Sequence, residues 1–346
     1  MNRRTTLASV GIVALAALFL APAFSQKQEV QEPSRNPALE EAYWRERIQS
    51  VGGSGAYKEL AQSVEGKTPE SEHTSAHAFG AALYEEKGKE GLSVCDAHFN
   101  FGCYHEFLGR AIAAEGLAVA ASLNEGCFSA LTESPLSCQH GIGHGILSYI
   151  GYGEKQLRQG LEECEKIPYA DPIGGCYGGL FMEYNLQTML ATQARLRPLG
   201  VDPLAPCNVL KETYRAACYY WQPQWWAQAL KPTLEGSEAF KTMGAWCALS
   251  GAYVRECFEG IGNIATPEAN FSPVRAKELC EASSTNRTER LYCKSIAANS
   301  LFLGGAGMKG DGLSVCKGLE TEAYAYCAAY AKNEANILYR ASPPLQ

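Results

Sequence analysis

All six histidines of the chain lie between residues 73 and 144, in three pairs at helical spacing. His73 and His77 are four apart, His98 and His105 seven apart, and His140 and His144 four apart inside the string CQHGIGHG. Residues four or seven apart share one face of an α-helix. Residues 145–346 contain no histidine. Imidazole is the side chain best suited to metal ligation and to proton transfer near neutral pH. Clustering of this kind points to a site rather than to scatter.

Three uses compete for these side chains. In the first, His140 and His144 give two nitrogen ligands from one helix, with His105, His73 and His77 supplying more. Such donors, with a carboxylate such as Glu183 or Glu259, suit a divalent ion: zinc first, then copper, iron or manganese. In the second, the histidines act without metal in proton transfer or ligand binding. In the third, they are satisfied core or capping groups. HEFLG at 105–109 is not HExxH, because its fifth residue is Gly109, which argues against a zincin protease. The chain has no GxSxG elbow, no CxxCH, no phosphate loop and no GxGxxG after a strand. Serine-hydrolase, covalent-haem and nucleotide-phosphate chemistry therefore lack support.

The cysteines indicate what must position the histidines. Fourteen of them form seven consecutive couples: Cys95/Cys103, Cys127/Cys138, Cys164/Cys176, Cys207/Cys218, Cys247/Cys257, Cys280/Cys293 and Cys316/Cys327. The spacing within a couple is 8 to 13 residues, and successive couples start 32 to 43 residues apart. That period matches helical-hairpin repeats. The expected unit is a helix ending near the first cysteine, a short loop, and a second helix opened by the second cysteine. Bridging the two helix ends meets the Cα separation that a disulfide requires. Zinc ribbons need cysteines two to four residues apart, and no couple qualifies. In build, such a stack resembles the secreted Sel1-like cysteine-rich repeat proteins; the first couple, with seven residues between its cysteines, is the local match.

Aligning the units on the second cysteine gives a register. Two positions after it stand His105, His140, Gly178, Tyr220, Glu259, Ser295 and Ala329. Six positions after it stand Gly109, His144, Met182, Gln224, Asn263, Asn299 and Asn333. The two positions share a helix face, so a polar stripe runs along successive second helices. The stripe suggests a wet concave surface or a central cavity. Glycines crowd it, in GIGHG (141–145), GGCYGG (174–179) and EGIG (259–262). Each helical glycine costs about 1 kcal/mol against alanine. Close helix approach or ligand access would offset that cost; a helix start or a turn would avoid it. Tyr219, Tyr220, Trp221, Trp225 and Trp226 form an aromatic cluster that suits a core or, in a cavity, a sugar or peptide.

Residues 1–25 read as a signal peptide: Arg3 and Arg4, an apolar run to Phe24, and small residues before a cut at Gln26. Removal lowers Lys+Arg from 30 to 28 against 37 Asp+Glu, a net charge of −9. That charge argues against nucleic acid and against an anionic membrane surface. Export to a periplasmic or extracellular space agrees with an even, large number of cysteines. Residues 26–68 form a polar segment and leading helices, with Asn36-Pro37 opening a helix over 38–50, a break at GGSG (52–55), and Thr68-Pro69 opening the helix that bears His73 and His77. Residues 69–346 form a single α-helical repeat domain, with three prolines between 196 and 206 marking a kink or crossover.

The expectation is therefore an all-α chain of about seven disulfide-stapled hairpins arranged as an α/α solenoid or toroid. Its inner face in the N-terminal half carries a histidine-lined, metal-binding site. The alternative is a metal-free scaffold whose concave repeat surface holds a small molecule, peptide or protein partner, with Tyr220 and Glu259 on that surface.

Overall fold

The computed structural model describes residues 37–332, apart from 97, 131–134, 169–172, 190–194 and 304–311. The signal-peptide reading and the polar segment up to residue 36 lie outside the described residues. So does Asn333.

The described residues are helical, without strands. In chain order the helices are α1 (Pro37–Val51), α2 (Gly53–Val64), α3 (Pro69–Lys87), α4 (Gly102–Glu115), α5 (Ala120–Ala130), α6 (Pro135–Ile150), α7 (Glu154–Glu165) and α8 (Cys176–Leu186). They continue as α9 (Glu212–Leu230), α10 (Gly236–Cys247), α11 (Val254–Glu268), α12 (Pro273–Ser283), α13 (Arg287–Leu303), α14 (Gly312–Cys316) and α15 (Thr321–Lys332). Asn36–Gln346 cluster as one compact unit. Among the described residues, no helix is long and apolar enough to cross a membrane.

Local chemistry explains the ends. The Thr68 hydroxyl accepts from the Ser71 amide at the start of α3, and Pro69 takes a position where no amide hydrogen is needed. Gly52, at φ 78°, closes α1 in a backbone shape that favours glycine. The GGSG break proves to be one residue long, because α2 starts at Gly53. Its helical pattern comes from Ala56, Leu60 and Val64, all buried at spacing four.

The seven couples are bonded as expected, nearest neighbour to nearest neighbour, with Cα separations between 5.4 and 5.8 Å. The described residues contain no free cysteine. Loops of this length each contribute about 2–3 kcal/mol in the chain-entropy model. The helical unit is less uniform than its cysteine spacing. Ahead of Cys95 lies a 3-10 segment, Gly88–Val94, and Cys207 opens a short 3-10 turn, Cys207–Val209, instead of ending an α-helix. Pro198, Pro203 and Pro206 lack the amide hydrogens that a helix before Cys207 would need. Cys218, Cys293 and Cys327 sit two turns inside α9, α13 and α15 rather than at their starts.

Successive helices α1, α3, α4, α6, α8, α9, α11, α13 and α15 pack each against the next. The helices α5, α7, α10, α12 and α14 pack against members of this row. The second-cysteine register faces the joints of the row. His105, His140, His144, Tyr220, Glu259, Ser295 and Asn299 are buried, while Gly109, Met182, Gln224 and Asn263 are half-buried and Ala329 is exposed, so the first of the two register positions is the better covered. The glycines permit close approach. A Cβ on Gly143 would meet the Cys176 carbonyl oxygen at 2.0 Å, and one on Gly179 would meet that of His140 at 1.8 Å. The same interlock recurs between α11 and α13, where a Cβ on Gly262 would meet the Cys293 oxygen at 2.2 Å. Real Cβ atoms do not come that close, so these residues answer to packing and not to a helix start.

The aromatic cluster is core. Trp225 and Trp226 have no exposed surface, and their indole N–H groups donate to the carbonyl oxygens of Arg197 and Pro203. The Arg197 guanidinium lies 3.4 Å from the centre of a Trp225 ring. The proline-bearing stretch is thereby pinned onto α8 and α9.

Candidate metal centre

Three consecutive helices of the row carry the histidines. Helix α3 presents His73 and His77 one turn apart, α4 presents His105, and α6 presents His140 and His144 one turn apart. Because α4 packs between α3 and α6, His105 sits between the two pairs. Its ring centroid lies 5.3 and 5.6 Å from those of His73 and His77, and 5.7 and 5.1 Å from those of His140 and His144. Two triads result: His73, His77 and His105, and His105, His140 and His144. Within each triad, one nitrogen per ring lies within 4.8 Å of the others.

Hydrogen bonds fix which nitrogen faces inward. A carbonyl oxygen can only accept, so the ring nitrogen beside it must carry the hydrogen. His73 Nδ1 donates to the Phe99 carbonyl at 2.8 Å. His140 Nδ1 donates to the Gly174 carbonyl at 3.1 Å. His144 Nδ1 lies 2.8 Å from Glu183 Oε2. A ring held this way and carrying a single proton has its lone pair on Nε2. Nε2 of His144 is buried and meets no hydrogen-bond partner. An orphaned buried nitrogen carries a desolvation cost of about 1–3 kcal/mol, and a ligand that supplies a partner removes it.

The group behind His144 is built for that ring. Glu183, on α8, has no exposed side-chain surface. Its carboxylate also accepts from the Tyr152 hydroxyl, the Thr188 hydroxyl and the amides of Thr188 and Met189. Burial alone would raise its pKa, but the hydrogen bonds from His144, Thr188 and Met189 hold it below the usual range. It is an anion fixed in place, aimed at Nδ1 and not at the lone pairs. Glu259, the other acid named from sequence, lies on α11 and pairs with Arg255 at 2.8 Å.

The remaining rings are tuned the same way. Burial, followed by the neighbouring imidazoles, pushes His77 and His105 well below the ordinary histidine range. Burial does the same to His140, with His144 adding to it. Neutral imidazoles are the form that ligates. His77 Nε2 lies 3.0 Å from His73 Nε2, and its Nδ1 lies 4.0 Å from Glu106 Oε2. Burial pushes Glu106 up to about 7, against the pull of Arg110.

Of the six histidines, His98 alone stays outside. It caps a 3-10 turn, Phe99–Phe101, is largely exposed, and pairs with Asp96 at 2.8 Å. The seven-residue spacing to His105 fails because no helix spans 98 to 101. The loop instead places the carbonyl that holds His73, and Phe99 and Phe101 both take left-handed backbone angles to do it. Each such residue costs on the order of 1–3 kcal/mol. Sequence reasoning missed Glu106 and the two backbone acceptors. Glu106 follows His105 directly, a signal that was available; the carbonyls of Phe99 and Gly174 leave none. A cleft of about 420 Å³ lies elsewhere, against α11 and α13, lined by Arg255, Glu256, Asn286, Glu289 and Tyr292 among others, and its lining contains no histidine.

No family model matches this chain, and no curated protein or solved structure shows significant similarity to it.

Proposed function

We propose that this is an exported, disulfide-stapled helical-repeat protein that binds a divalent metal, zinc first, through His105, His140, His144, His73 and His77. Copper, iron and manganese are the next ions that such a donor set suits. One observation carries the reading: three rings are anchored through Nδ1 within two clustered triads, and Nε2 of His144 is buried without a partner. A carboxylate or carbonyl behind a histidine is how proteins orient metal-binding imidazoles. Zinc–nitrogen bonds are about 2.0–2.1 Å long, so two nitrogens on one ion stand at most about 4.2 Å apart. A triad spread over as much as 4.8 Å therefore has to tighten by a few tenths of an ångström on binding. Seven disulfides and the absence of a membrane-spanning helix among the described residues agree with an oxidising, extracytoplasmic setting. The alternative, a metal-free scaffold gripping a peptide or protein along the stripe, would use Tyr220 and Glu259, each 3 % exposed. Burial leaves them little surface to offer a partner.

Elemental analysis of untagged protein, before and after equilibration with zinc, tests the proposal. Stoichiometric zinc in the wild type, lowered in the double variant His140→Ala/His144→Ala with its helix content intact, is the expected result. Folded wild type that takes up no zinc, copper, iron or manganese overturns it.

A further inference from the structure

The five histidines do not close into one ligand set; they form two triads that share His105. Several features make the sharing look built. The pairs come from α3 and α6, and each helix packs on α4 from its own side. Each triad has its own carboxylate, Glu106 at His77 and Glu183 at His144. His77 Nε2 donates to His73 Nε2 at 3.0 Å, and an ion replacing that proton would find the two nitrogens near the ~3.4 Å expected on one tetrahedral zinc. Most telling is His105 itself. His73, His140 and His144 are each held through one ring nitrogen by a group outside the cluster, whereas His105 stands between the pairs and belongs to both triads. A single ring nitrogen cannot serve two ions. Both triads can be filled together only if His105 gives one nitrogen to each.

Building on the metal-binding reading, we propose that the centre holds two divalent ions, with His105 bridging them as an imidazolate. Nδ1 and Nε2 of His105 each form a bond to one ion, and the ring N–H proton leaves to solvent. Proton release on binding is the ordinary consequence of replacing a proton by a metal. Each ion then has three nitrogen ligands, the number that leaves a fourth position open for water or substrate in catalytic zinc sites. The nearby carboxylates, Glu106 and Glu183, offset part of the added positive charge.

Zinc and copper(II) loading of the untagged full chain tests this. Wild type should bind two zinc ions per chain. His73→Ala/His77→Ala and His140→Ala/His144→Ala should each keep one. His105→Ala should weaken both sites together. Copper(II) needs no variant: an imidazolate couples two copper spins antiferromagnetically, so the wild-type paramagnetic resonance signal should integrate to a small fraction of the bound copper at low temperature. A single ion per chain overturns the bridge and leaves the metal-binding reading standing. Two ions with an uncoupled signal also overturn the bridge. A folded wild type that binds neither metal overturns both proposals.

Discussion

In the α4–α6 stretch the second-cysteine register carries His105, His140 and His144; in α11 and α13 the same positions carry Glu259, Ser295 and Asn299. Both sets are buried in the joints of one helical row. Both stretches use glycine against a neighbouring carbonyl to bring the helices close, as Gly179 and Gly262 show. They differ in what the polar groups face. Glu259 is paired with Arg255, Ser295 donates to the Leu291 carbonyl of its own helix, and Asn299 donates to the Tyr330 carbonyl. The first two bonds stay within one helix, and the third crosses the joint from α13 to α15. Among the histidines, His73, His140 and His144 are held outward through Nδ1, and their Nε2 atoms face the cluster, where His73 Nε2 accepts from His77 Nε2 and His144 Nε2 has no partner. The contrast teaches that a buried polar stripe is not itself a site. The distinguishing mark is several acceptors turned toward one space, with a supporting shell that holds them there.

The two buried carboxylates sharpen that contrast most. Glu259→Ala removes the carboxylate paired with the buried Arg255 cation and should cost about 3–5 kcal/mol in urea unfolding, with zinc stoichiometry unchanged. Glu183→Gln should instead lower zinc affinity by about 10–100-fold, read by competition with a chelating dye. An unaltered affinity would show that Glu183 serves only the fold. Next in size are the glycines. Gly179→Ala and Gly262→Ala should each cost about 1–3 kcal/mol through forced helix separation, measured as lowered unfolding midpoints. Only Gly179→Ala, whose new Cβ strikes the His140 carbonyl, should also lose zinc affinity; equal effects from both would erase the distinction.

Acid should separate the halves further. The pKa values of His77, His105 and His140 are depressed in the folded protein, so the unfolded chain binds more protons once pH falls below its ordinary histidine pKa of about 6.5. For metal-free protein, stability from this source is complete above that pH. It is lost as pH falls toward the folded-state values, by up to about 1.4 kcal/mol per pH unit for each ring. Amide exchange should show α3, α4 and α6 loosening before α11 and α13, which contain no histidine. Uniform loosening would contradict the assignment. The smallest effect belongs to His98→Ala. The exposed pair with Asp96 should be worth under about 0.5 kcal/mol, and zinc binding should not change.

Much of this was legible in order along the chain. Counting from each second cysteine places His105 and His140 at one position of neighbouring units, with His144 a turn beyond. That register holds because a disulfide fixes where each hairpin turns back. It could not say which part of the polar stripe is covered, because periodicity names a shared face and not what covers it. Burial between neighbouring helices emerged only from packing, at a closeness that the glycines allow. Helix α2 was hidden behind GGSG, where one left-handed residue, Gly52, suffices for the break.

By itself, the sequence determined the helical class, the seven bridges and the three helices that bear the histidine cluster. Those follow from local spacing: cysteines repeating in couples 8 to 13 apart suit a bridge across each hairpin turn, and residues four apart share a face. Tertiary structure decided which nitrogen of each ring faces inward, that Glu183 supports His144 from behind, that His98 stays in solvent, and that His105 stands between two pairs. These depend on where carbonyls and carboxylates of distant segments come to lie, such as Gly174 beside His140 and Phe99 beside His73. Helical spacing along one segment carries no information about such neighbours, because only the packing of separate helices brings them together.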